Sequence, residues 1–453
     1  MIGAQQVVDS ALAAASADET IVIVTERVAA SLRWANNTMT TNGVSTSRST
    51  TVISIARQGK TARVGSLRTA EVDPELIPRL VQASAEAAAA APEASDAAPL
   101  LSGSGVPDDW DAPVPGTGVE VFADVAASLS QSFRGVELLA GFARHELETT
   151  FLATSTGVRR RFTQPTGTVE INARHGEASA WMGVGTLDFV DVSTDSMLEQ
   201  LSTRLDWAAR RVELPAGRYE TIMSPSTVAD MMIFLGWSMA GRGAHEGRTA
   251  LSRPGGGTRL GERLTELPLT MYSDPHAAGL RCLPFVAADS SSETVSVFDN
   301  GMEIERVDWI RDGVINALAY PRAAAAEFDA PVAIAADNLL VTGGEASLDD
   351  MIAGTEHGLL VNTLWYIREV DPTTMLLTGL TRDGVYLVED GEVRGAVNNF
   401  RFNESPLDLL RRATQAGVSE QTLPREWGDW ATRAAMPSLR IPDFHMSSVS
   451  PAQ

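Results

Sequence analysis

The chain has 453 residues and a hydrophobic content of 44%, enough for a large core, and its length favours two or three domains. A formal net charge of −22 favours solubility and repels phosphate backbones, so nucleic acid is a poor candidate partner. The single cysteine, Cys282, excludes an intrachain disulfide and a Cys-rich zinc site, and it fits a reducing compartment. The N-terminal stretch shows no secretory pattern and no apolar run approaches a membrane span, so the sequence reads as soluble and cytoplasmic.

In chain order, residues 4–16 repeat small apolar side chains at helical spacing. IVIVTERV (21–28), SLRWANN (31–37), STTVISIAR (49–57) and ARVGSLR (62–68) read as strands, with a hairpin turn at Gln58-Gly59-Lys60. Asp73-Pro74 is expected to open a helix as N-cap and first helical residue, running into an Ala-rich end. Residues 92–118, rich in Pro, Gly, Asp and Ser, read as a linker or long surface loop. A helix is expected over roughly 120–142, from Val121, Phe122, Val125, Leu129 and Phe133. A strand, a turn at Ser155-Thr156-Gly157 and a basic strand follow, then a helix at about 195–212. The order of helix, strands and helix thus occurs twice, as an internal duplication would give.

A second domain is expected from residue 216. Ser224-Pro225 opens an apolar helix that Gly241 would stop, and its all-round hydrophobicity predicts burial. Beyond 266 the chain reads as short strands, including PLTMYSDP, TVSVFDNG and LLVNTLWYIREVD, with turns at Arg382-Asp383-Gly384 and Glu389-Asp390-Gly391. The expected fold is therefore α+β: a helix-and-strand domain over 1–215 and a β-rich domain over 216–453 around the buried helix 224–241.

Candidate catalytic residues are few in the sequence. The six histidines lie more than ten residues apart, so no helical ligand pair exists. His245-Glu246 reads either as an acid/base pair or as a solvated loop between Gly243 and Gly247. No G-x-S-x-G elbow is present. Cys282, in LRCLPF, reads as a buried strand residue. Gly255-Gly256-Gly257 lacks the ending of a phosphate loop and reads as a flexible loop. Arg159-Arg160-Arg161 reads as a solvated or interface face of a strand.

Several stretches together resemble the TldD/PmbA family, once called modulators of DNA gyrase. They are ERVAASLRWANNTMTTNGVSTS, YETIMSPSTVADMMIFLGWSMAGRGAHEGRTAL, LWYIREVDPTTMLLTGLTRDGVYLVEDGEVRGAVNNFRFNESPLDLLRRA and MPSLRIPDFHMSSVS. The resemblance covers nearly the whole chain. It implies two kinds of subunit, of which the catalytic kind carries H-E-x-x-x-H on the buried helix and a Cys ligand near the C-terminus. Here Ile233, Phe234 and Ser238 stand in the places of His, Glu and His, and Cys282 is not C-terminal. The resemblance therefore implies the metal-free, TldE/PmbA-like kind, with no catalytic or metal-ligating residue and no cofactor of its own. It implies a heterodimer with a TldD-like catalytic subunit that holds zinc and hydrolyses peptides or peptide-derived molecules. In that picture Arg242, His245, Glu246 and Arg248 are candidate substrate-binding residues. The alternatives are an active hydrolase using His245 and Glu246, or a peptide-binding adaptor without a hydrolytic partner.

Overall fold

The structure, a computed structural model, describes residues 2–70, 73 and 75–451. It is α+β and contains two sheets. The first half contributes α1 (Ala4–Ala13), β1 (Glu19–Ala35), β2 (Thr38–Gln58), β3 (Thr61–Thr69), α2 (Ile77–Ala90), α3 (Ala123–Ser132), β4 (Leu138–Thr154), β5 (Arg159–His175), β6 (Ala178–Thr186) and α4 (Thr194–Ala208). Its six strands form an antiparallel sheet in the order β3-β2-β1-β4-β5-β6. Two three-strand meanders thus meet at β1 and β4, where Ile21 faces Thr154 and Trp34 faces Gly141. Each meander is preceded and followed by a helix, which matches the repeated order in the sequence.

Alternation sorts the two faces of this sheet. Val22 and Val24 meet α1 and α2, while Ala30 and Leu32 on the same face of β1 meet α3 and α4. The other face carries Ile21, Ile23, Ile53 and Leu152, which pack on Phe285, Val297 and Phe298 from the second half. One face therefore belongs to the helices and the other to the rest of the chain.

The two strands expected at 21–28 and 31–37 are one, and residues 38–48 continue its partner as an exposed arm. The turn works because Asn36 and Asn37 both adopt positive φ, the geometry of a tight hairpin. Asn37 also accepts the Leu139 N–H at 2.6 Å and donates to the Glu137 carbonyl at 2.8 Å. The helix expected from Asp73 starts at Ile77. The Asp73 carboxylate accepts the Glu75 N–H, and Pro74 lies outside the described residues. The helix expected to reach 142 ends at Ser132, because residues from Leu138 onward pair with β5. Residues 92–118 are irregular but anchored: Leu100 and Trp110 are buried, and Arg161 donates to the Ala112 and Pro113 carbonyls. The basic run is spent internally, since Arg159 pairs with Asp9 and Arg160 donates to the Gly301 carbonyl.

The second half contributes β7 (Arg211–Val212), β8 (Gly217–Met223), α5 (Pro225–Trp237), α6 (Gly241–His245), β9 (Met271–Ser273), β10 (Val307–Arg311), β11 (Val314–Ile315), α7 (Arg322–Glu327), β12 (Leu339–Val341), α8 (Leu348–Ala353), β13 (His357–Val361), β14 (Leu364–Asp371), β15 (Leu376–Thr381), β16 (Val385–Glu389), β17 (Glu392–Val397), β18 (Phe400–Glu404), α9 (Pro406–Arg412), β19 (Gln415–Thr422) and β20 (Ala434–Val449). These strands build a mixed sheet ordered β11-β10-β9-β12-β20-β8-β13-β16-β17-β7, with β14, β15, β18 and β19 branching at β20. The pair Arg211–Val212, placed before residue 216, already belongs to it through β17. The helix expected to reach 212 accordingly stops at Ala208. TVSVFDNG is a short 3-10 turn at Val297–Asp299, not a strand, because Ser296 caps it by accepting the Phe298 N–H. Cys282 is buried but lies outside any strand. Among the described residues, no helix is long and apolar enough to cross a membrane.

Candidate functional site

Helix α5 centres the second half. Ser224 is extended and Pro225 fills the first helical position, which fixes the start. Val228, Met231, Met232 and Leu235 enter a core with Met223, Leu359, Phe402 and Ile441. The helix ends at Trp237 instead of at Gly241. Gly241 instead opens α6 against Tyr320, whose ring occupies the space a Cβ would need.

The three positions of interest lie on the last turns of α5. Ile233 is buried at 3% exposure. Phe234 is half-buried against Trp427, with ring centroids 6.2 Å apart. The Ser238 hydroxyl donates back to the Phe234 carbonyl at 2.9 Å. Hydrocarbon at 233 and 234 supplies no lone pair, and among the described residues no three His, Cys, Asp or Glu side chains converge. This donor set does not fit a zinc ion. Cys282 is buried outside this helix, and loss of solvent pushes its thiol up to about 12.

What the helix does present is aromatic. Trp237 is 51% exposed and Trp430 69% exposed, unusual for residues of this size. Trp427 lies between them, 5.2 Å from Trp237 and 6.3 Å from Trp430. A cavity of ≈ 100 Å³ opens beside them, lined among others by Ile233, Trp237, Trp309, Asp337, Trp430 and Arg433. Asp337 is open to solvent at the mouth, yet protein surrounds it closely enough to raise its proton affinity against the pull of Arg433.

A polar frame holds these rings. The Trp427 indole donates to the Asp230 carbonyl at 2.8 Å, and the Glu426 N–H donates to the Asp230 carboxyl at 3.0 Å. The Glu426 carboxylate in turn accepts the N–H groups of Tyr366 and Ile367 and the guanidinium of Arg368. This bond set holds exposed Tyr366 at a φ of 53°. Arg425 lies between the rings of Trp181 and Trp365, at 4.8 and 4.9 Å, and donates to Glu170 at 2.8 Å. The arrangement is a pre-set aromatic wall able to grip an extended, partly apolar chain.

The residues 242–248 come together differently. Arg242 pairs with Glu327 and with Glu246, and Arg248 pairs with Glu246 and Glu293. Bonds from Arg248 and Arg242 hold the Glu246 carboxylate below its usual range, which makes it a poor proton acceptor. His245 turns away and stacks on Phe328, with centroids 4.2 Å apart and planes 8° from parallel. Both guanidiniums already have carboxylate partners.

Sequence reasoning missed Arg425, Glu426, Trp427, Trp430, Asp337 and Arg433. One signal was available: PREWGDW places two tryptophans within four residues of a chain that is 6% aromatic.

A family model described as the PmbA/TldA metallopeptidase C-terminal domain matches residues 216–448, more than half of the chain. The chain belongs to this PmbA/TldD family of metallopeptidase-related proteins. No curated protein matches it. Among solved structures it is similar to TldE from Thermococcus kodakarensis, with a TM-score of 0.77 at 16% identity over 97% of this chain and 99% of that one. It is also similar to a protein from Bacteroides thetaiotaomicron described as a modulator of DNA gyrase, with a TM-score of 0.77 at 14% identity and 98% coverage of both chains. A Thermotoga maritima protein so described gives 0.72 at 14% identity, over 94% of this chain and 95% of that one. At such identities the likeness establishes the fold.

Proposed function

We propose that this chain is the non-catalytic partner subunit of a heterodimeric zinc metallopeptidase, which encloses the reaction chamber and helps to bind a peptide or peptide-derived substrate. The observation that carries the reading is the rebuilt end of α5. Ile233 and Phe234 are packed hydrocarbon where the family resemblance places a metal ligand and a base, and Ser238 is turned onto its own helix. The TldD-like partner would hold the zinc and act in the cytoplasm with this subunit. Substrate would lie along the wall of Trp237, Trp427 and Trp430, because indole faces hold an unfolded chain with little dependence on its sequence. The cluster of Arg242, His245, Glu246 and Arg248 is a second place for substrate contact, to be tested by alanine substitution at Glu246 and Arg248.

The test is to co-express this chain with a TldD-like subunit encoded beside it, purify each alone and together, and measure zinc per chain and peptide hydrolysis. Zinc in the partner only, and turnover in the complex only, is the expected result. Stoichiometric zinc or hydrolysis by this chain alone would overturn the reading. Trp237→Ala together with Trp430→Ala should raise the KM of the complex about tenfold with little change in kcat, the signature of lost ground-state binding.

A further inference from the structure

A second cavity, of ≈ 670 Å³, opens away from α5, where β5 and β6 of the first sheet meet the β16–β17 hairpin of the second. Its size lies inside the span of small-molecule sites, roughly 300–1,000 Å³. The first sheet contributes Asn172, Arg174 and Ser179, on the face turned away from the helices. The second contributes the turn Arg382–Gly384 and the segment around Arg211 and Glu213.

Most charges in this cavity are already matched. The Ser179 hydroxyl donates to Asp383 at 2.6 Å, and Arg382 lies 3.4 Å from the same carboxylate. Arg211 donates to the Glu177 carbonyl at 3.2 Å and lies 3.8 Å from its carboxylate. Among the described residues two charges are left over, both on solvent-exposed side chains. The side chains of Arg174 and Glu213 line the cavity and have no hydrogen-bond or ion-pair partner among the described residues. The Asn172 amide, between them in kind, is also without one. One free cation and one free anion stand on different walls, with an amide available to a peptide group. An anion alone would meet Glu177, Glu213 and Asp383, and a cation alone would meet three guanidiniums, so neither matches the set. A zwitterion with its charges held apart matches both free groups at once.

We propose that this cavity binds a short unblocked peptide, with its C-terminal carboxylate on Arg174, its ammonium on Glu213 and a backbone amide on Asn172. The guanidinium fork suits a carboxylate because both N–H bonds can form together. The proposal goes beyond the partner-subunit reading and does not depend on where zinc is held.

Isothermal titration calorimetry on the full chain alone tests it, with trialanine, N-acetyl-trialanine and trialanine amide as probes. Trialanine should bind, and each blocked form should bind about tenfold or more weakly, since one charge-assisted contact is lost in each. Arg174→Gln should weaken trialanine to the level of its amide while leaving the amide unchanged. Glu213→Gln should do the same with respect to the acetylated form. Both positions are at the surface of the cavity, and circular dichroism of the variants checks that the fold persists. Absence of trialanine binding at millimolar concentration, equal binding of blocked and free forms, or wild-type affinity in both variants would each overturn the proposal.

Discussion

Asp230 is the most constrained side chain in α5. It has no exposed surface, one oxygen accepts the Glu426 N–H, and the other has no partner among the described residues. Loss of solvent pushes its carboxyl well above the ordinary 3.8. The folded chain therefore keeps a proton that the unfolded chain releases, and the stability contribution falls as pH rises from about 4 through the folded value. Asparagine has the same shape and cannot ionise. Asp230→Asn should gain stability relative to the parent as pH rises from 4 to 8, by urea denaturation of both proteins across that range. A difference that stays flat with pH would show that Asp230 is not protonated in the fold. Nothing in STVADMMIFLG announced this: an acid in an apolar run reads equally as a solvated edge or as a buried polar anchor, and only the position of Glu426 decides between them. The same holds for Asp337 and Arg433, whose partners lie far away in sequence.

Helix α2 shows how an element is fixed by one close approach. A Cβ at Gly65 of β3 would fall inside the backbone of α2 at Ser84 and Ala88. Ser84 uses the contact: its hydroxyl reaches the Val52 and Gly65 carbonyls and accepts the Ser54 N–H. Gly65→Ala must push the helix off the sheet, and the expected cost is about 1–3 kcal/mol. Gly43→Ala, on the exposed arm of β2 with nothing within 4 Å of the added carbon, is the control that should leave the urea midpoint in place. Equal effects from the two substitutions would sink the packing argument. The sequence showed the elements whose signals are local. Period-2 runs marked β1 to β3, Ser224-Pro225 marked the start of α5, and Asp390-Gly391 marked a hairpin whose two residues both take positive φ. It did not show the arm at 38–48, because neither face of that strand is buried and no alternation is written into it. It also extended α3 too far. The apolar spacing continues past Phe133, while the pairing of Leu138 with Arg174 that ends the helix is non-local.

At the scale of the molecule, the two sheets are joined by a polar knot that no local pattern records. Arg433, immediately before β20, donates to Asp337 at 2.9 Å, to the Pro165 carbonyl at 3.0 Å and to Thr166 on β5 of the first sheet. Gln164, next to them, donates to Asp337 at 3.2 Å and accepts the Leu283 N–H at 2.6 Å. The guanidinium is almost fully buried, so water does not replace these bonds if they are lost. Asp337 is itself half-exposed, which limits the penalty for leaving it without a cation. Arg433→Ala should therefore cost about 1.5–3 kcal/mol, the range for hydrogen bonds to a charged group, and not the larger sum expected of a fully buried ion pair. The same substitution also removes a wall of the cavity beside Trp237 and Trp430. Arg433→Lys separates charge from geometry. A lysine restores the charge near Asp337 but cannot span Asp337, Pro165 and Thr166 together. Equilibrium urea unfolding of the three proteins is the measurement. If the lysine variant recovers full stability, charge alone joins the halves. Recovery of less than half of the loss, the expected result, assigns the junction to the geometry of the guanidinium fork.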